Sequence, residues 1–178
     1  AQALLAAAEL LERKLDDASE AAELTVTALR RALVAQQQAV TAGSEVSAAL
    51  IAVRDAAWTS VERLLNTSAQ LPELAALLNE QLAATPATAT AEQAGLLDRR
   101  LAVLTKIKSA SSSATPQPGV DPQVQSRAIQ GQLLQTLEQL LRVRPDDDAL
   151  MQTQQALLTE QGNLAAAREV AQQRVQLA

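Results

Sequence analysis

Aliphatic side chains return every three or four residues along almost the whole chain, and alanine and leucine supply most of them. At 3.6 residues per turn this rhythm gathers them on one side of a helix, whereas on a strand it would scatter them over both faces. Composition sharpens the choice. Aromatic residues are 1% of the chain, with Trp58 the only one, so the bulky side chains that fill strands are missing while two strong helix formers abound. The expectation is an all-α protein, an antiparallel up-and-down bundle of long helices. At 178 residues the chain is long enough to bury a core without staples.

Several chemistries are excluded by what is absent from the sequence. There is no cysteine and no histidine, which removes thiolate nucleophiles, cysteine metal sites, the commonest metal ligand and the commonest general base. A formal net charge of -5 opposes a nucleic-acid face, which needs clustered Lys and Arg. Arg30-Arg31 and Arg99-Arg100 are adjacent basic pairs and read as solvated helix charges. Ser111, Ser112 and Ser113 have no base to activate them, and no Gly-rich phosphate loop or zinc spacing occurs. Asp16-Asp17 and the run Asp146, Asp147, Asp148 are paired carboxylates at solvated positions, and the second run reads as a helix cap. No catalytic residue, cofactor or metal site is assigned.

Along the chain, residues 2–41 predict a first long helix, with Leu4, Ala8, Leu11, Leu15, Ala18 and Ala22 on one side. Val26, Leu29, Leu33 and Val40 continue it after a four-residue slip, as in a stuttered coiled coil. Glu9 and Arg13 form a favourable i, i+4 pair. Gly43 stops or kinks this helix and, where it stops, Ser44 caps the next, which carries Val46, Leu50, Val53, Ala57, Val61 and Leu64. Trp58 on it plugs the core with its N–H turned to a carbonyl or water. Asn66-Thr67-Ser68 ends that helix, and residues 70–83 form another with Pro72 in its first turn. A small-residue connection, 84–90, leads to a helix from Ala91 to about Ser109. Ser109 to Pro122 reads as a loop, and Asp121 or Pro122 opens a helix bearing Val124, Ile129, Leu133, Leu137 and Leu140. Pro145 separates it from one long final helix in which Leu150, Leu157, Leu164 and Ala171 recur every seven residues. Residues 1–43 are taken as an N-terminal helix or extension and residues 44–178 as the main bundle.

Four short segments in this order resemble the LemA family of bacterial helical proteins. They are Val53-Arg54-Asp55-Ala56-Ala57-Trp58, then Leu71-Pro72-Glu73-Leu74, then Arg144-Pro145-Asp146, and last Leu157, Leu164, Ala165, Ala167 and Arg168 on the final helix. Arg144 stands where the family has tyrosine, and Gln161-Gly162 where it has glutamate and asparagine. The resemblance covers residues 50–178, with Trp58, Pro72, Pro145, Leu157, Leu164 and Arg168 as family-match positions. It implies a four-helix core with an N-terminal helical extension. It also implies a non-enzymatic scaffold tethered by an N-terminal membrane anchor, its soluble part extracytoplasmic.

Arg168 is expected to be partly buried and bonded to a neighbouring helix, since polar groups on a packed side must find partners. Partners are expected to be proteins, not nucleic acid, with self-association left open. The competing class is an extracytoplasmic sensor domain of a chemoreceptor or sensor kinase, which is also a helical bundle but is flanked by membrane spans at both ends.

Overall fold

The computed structural model describes residues 3, 6–8, 18–67, 70–86, 88–113 and 121–177. Among the described residues every regular element is a helix, and the chain is all-α. It divides into two compact units, Ala1–Ala89 and Thr90–Ala178.

The first unit contains α1 (Ala18–Thr41), α2 (Ala48–Thr67) and α3 (Leu71–Ala84), each packed on the other two. Gly43 ends α1 as expected. At φ +66 its N–H bonds the Val40 carbonyl at 3.0 Å, and the Ser44 N–H reaches back to Ala39 at 2.9 Å, closing the paired bonds of a Schellman stop. The next cap is Ser47 rather than Ser44: its Oγ accepts from the Leu50 N–H at 3.3 Å, because four residues are needed for the chain to reverse before α2 begins. The boundary expected at 43/44 is therefore a turn inside this unit, and α1 lies along α2. Leu29, Val61, Leu65, Leu74, Leu77 and Leu78 are buried in its core. Each contributes roughly 1.5–3 kcal/mol on the transfer scale. Val40, expected inward, is exposed one residue short of the end of α1. Leu4, Leu11, Leu15, the Glu9–Arg13 pair, Asp16-Asp17 and Ser68 lie outside the described residues.

The second unit contains α4 (Thr90–Ser113), α5 (Pro122–Val143), α6 (Asp148–Glu160) and α7 (Leu164–Leu177), with each consecutive pair packed together. α4 runs past Ser109 into the expected loop. Within it the hydroxyls of Ser109 and Ser111 donate to the carbonyls of Lys106 and Ile107, so these serines bond within the helix instead of opening it. Residues 114–120 of that expected loop lie outside the described residues. Asp121 caps α5, accepting from the Gln123 N–H at 2.9 Å with Pro122 at the first position. Val124 is exposed, while Leu133, Leu137 and Leu140 are buried. Pro145 follows Arg144 in a β-turn closed by the Asp147 N–H on the Arg144 carbonyl at 3.3 Å, and Asp147 caps α6.

The single long helix expected after Pro145 is instead a hairpin. Gly162 sits at φ +76, its N–H bonding Thr159 at 3.0 Å while the Asn163 N–H bonds Leu158 at 2.9 Å, a second Schellman stop. Asn163 then caps α7, accepting from the Ala166 N–H at 3.3 Å. The chain reverses, and Met151, Leu158, Ala167 and Val170 form the shared core of α6 and α7.

The two units resemble each other in helix lengths and in two short segments. Helices of 24, 20 and 14 residues in the first answer to helices of 24, 22 and 13 in the second. Val61-Glu62-Arg63-Leu64-Leu65 on α2 parallels Leu137-Glu138-Gln139-Leu140-Leu141 on α5, and Ala76-Leu77-Leu78-Asn79-Glu80-Gln81 on α3 parallels Ala156-Leu157-Leu158-Thr159-Glu160-Gln161 on α6. Burial keeps step at Val61 and Leu137, Leu64 and Leu140, Leu77 and Leu157, and Leu78 and Leu158.

Candidate functional site

The family-match positions are divided between the two units. Trp58 and Pro72 belong to the first unit, the other four to the second. Trp58 is buried on α2, and Pro72 lies in the first turn of α3. Pro145 is a turn residue, and Leu157 is buried on α6. Leu164 and Arg168 are exposed on α7, and no hydrogen bond or ion pair among the described residues engages Arg168. The hairpin explains this. Turning back at Gly162 puts Ala167, Val170 and Arg174 toward α6 and rolls Leu164 and Arg168 away from it.

Arg174 takes the role expected of Arg168. Its Nε and Nη2 donate to the two Asp148 carboxylate oxygens at 2.6 and 3.1 Å, and Nη1 donates to Gln155 Oε1 at 3.1 Å. This bidentate clamp spans α6 and α7. The hydrogen bond from Arg174 holds the Asp148 carboxyl below the usual carboxylate range, and the same bond raises the Arg174 guanidinium above its ordinary value.

Other ion pairs likewise tie helices together within a unit. Arg30 on α1 donates to both oxygens of Glu80 on α3 at 3.2 and 3.3 Å. Arg54 on α2 donates to Gln36 Oε1 on α1 at 3.0 Å and to its neighbour Asp55 at 2.9 Å. In the second unit Arg144 pairs with Asp98 and Lys108 with Glu160. Buried hydroxyls turn to their own helices: Thr25 donates to Ala21 and Thr136 to Gln132, both at 2.7 Å.

Arg100 departs from expectation. It is 6% exposed on the inner stripe of α4 beside Leu96, Leu97, Val103 and Leu104, and burial lowers its pKa from the ordinary arginine value. Arg99 beside it is exposed. The adjacent-basic pattern hides this difference, because neighbours on a helix point about 100° apart.

An open cleft of about 460 Å³ lies between the end of α4 and the start of α5, lined by Lys108, Ser111, Gln123, Ser126, Arg127 and Ile129 among others. Its lining offers hydroxyls, amides and two cations. Among the described residues no three His, Cys, Asp or Glu side chains gather as a metal site, and no helix is long and apolar enough to cross a membrane. No family model, curated protein or solved structure matches the chain.

Proposed function

We propose that this chain is a non-enzymatic helical scaffold of the LemA type that offers helix faces to partner proteins and is held at a membrane by an N-terminal anchor. The observation that carries the scaffold role is where its polar groups go. Arg30, Arg54, Arg144 and Arg174 are spent tying one helix to another, while Val34, Val124, Leu164 and Val175 stand exposed on helix surfaces. Interface cores favour such apolar contacts over charge. The LemA assignment and the membrane tether rest on the four sequence segments. Photo-crosslinking from Val124 and Val175 in cells is expected to yield discrete protein adducts that the same probe at exposed Gln172 does not. Adducts equal at all three positions, or none, count against the scaffold. Fractionation of the full gene product tests the anchor: it is expected in the membrane pellet after alkaline extraction, and recovery in the soluble fraction removes that part.

A sensor role is the second reading, and the cleft between α4 and α5 favours it. A ligand binding only the folded state raises the melting temperature with concentration. Titration with small carboxylates and phosphates gives the contrast: a saturable rise that Arg127→Ala abolishes supports the sensor, and a flat response supports the scaffold.

A further inference from the structure

Among the described residues of the first unit, Trp58 Nε1 and Gln81 Oε1 are buried polar atoms with no hydrogen-bond partner. One is a donor and the other an acceptor, which is the combination a single bridging molecule satisfies. Their residues are each 4% exposed, one on α2 and one on α3.

Two cross-helix bonds place them at the same level of α1, α2 and α3. Gln36 on α1 meets Arg54 on α2, so six residues further from the Gly43 turn, Arg30 stands opposite the residues just beyond Trp58. Arg30 in turn clasps Glu80, the neighbour of Gln81. On the inner side of α1, Ala28 and Ala32 flank that level, and Ala57 precedes Trp58; all three are buried. Gln81 cannot be relieved by Thr85, whose hydroxyl donates to the main-chain carbonyl of Gln81 and not to its amide.

Stranding a buried donor and a buried acceptor together costs far more than joining them. We infer that one water molecule is bound between α2 and α3, accepting from the Trp58 indole N–H and donating to Gln81 Oε1. Buried water of this kind typically bridges groups that the fold leaves unpaired. Here it fixes the register of α3 on α2, because a shift of one residue in either helix would carry one of the two groups out of reach.

Trp58 is the chain's only aromatic residue, so the whole protein reports on this site without labelling it. In the intact chain the single indole N–H resonance is expected to be protected from solvent exchange yet to show cross-relaxation with a long-lived water. Gln81→Met keeps length and volume while removing the amide; it is expected to abolish that cross-peak, move the indole proton upfield and shift the tryptophan emission to the blue. An indole N–H without a water cross-peak, as for a direct bond to the amide, overturns the inference. So does a cross-peak and emission unmoved in a folded Gln81→Met protein. Should that variant fail to fold, the cross-peak of the unaltered protein still decides.

Discussion

At the scale of single residues, the contrast between Leu82 and Gly162 decides most. The matched segments ending at Gln81 and Gln161 are followed by leucine in one unit and glycine in the other. With Leu82, α3 continues to Ala84 and Gln81 stays buried in the helix; with Gly162 at φ +76, α6 stops and Gln161 is left exposed as its cap. An added Cβ would meet nothing within 4 Å at Gly162, so Gly162→Ala tests backbone conformation alone. It is expected to destabilise the chain by about 1–2 kcal/mol in denaturant titration, the cost of a left-handed L-residue. Gly131, inside α5 and equally unobstructed, has the opposite expectation: Gly131→Ala should stabilise by about 0.5–1 kcal/mol, because only helix propensity changes. Gly43 was legible as a stop because Ser44 follows it as a candidate cap. Gly162 was not, since Leu157, Leu164 and Ala171 keep a seven-residue spacing straight through the reversal. The Gly162-Asn163 pair, a stop followed by a cap, was the local signal that spacing masked.

At the scale of elements, the helices and most of their ends follow from apolar rhythm and capping chemistry, while the partner of each face does not. A seven-residue spacing says which residues share a side of one helix. It is silent on a turn that replaces that helix by two. Two substitutions separate the hairpin from a continuous helix. Leu158 is 8% exposed in the α6–α7 core and Leu164 is 55% exposed, so Leu158→Ala is expected to cost about 2–4 kcal/mol and Leu164→Ala under about 0.5 kcal/mol. Equal losses in denaturant titration would refute the hairpin. The Asp148–Arg174 clamp adds a pH signature. An unfolded aspartate titrates near ~3.9, and the folded carboxyl lies lower, so the clamp's contribution is present above that range and is lost as pH falls through the folded value. The Asp148 carboxyl resonance is expected to titrate at lower pH in the unaltered protein than in Arg174→Ala. Coincident midpoints would mean that the clamp does not form in solution. Arg174 escaped sequence reasoning because its facing partner is fixed by the turn at Gly162, twelve residues after which it returns to the start of α6.

At the scale of the whole molecule, fold class was legible and the division of the chain was not. Composition excludes strands, but a boundary lies where few side chains cross from one core to another, and that depends on which helices pair. α1, read as an extension, fills the first unit's core through Leu29 and Leu33, while the connection 84–90, read only as a loop, carries the division between Ala89 and Thr90. The likeness of the units gives this division a physical meaning: each contains a long helical pair, followed by a short helix carrying a buried Leu-Leu step. A module of nearly ninety residues buries enough surface to fold alone. Expressed separately, residues 1–89 and 90–178 are therefore each expected to keep their helical circular dichroism and to unfold cooperatively in urea. The slope of each transition should be about half that of a 178-residue chain unfolding as one block, since the slope tracks the surface exposed. A fragment that is unfolded alone but helical when its counterpart is added would show that the cores depend on each other. The likeness would then be one of helices, and not of folding units.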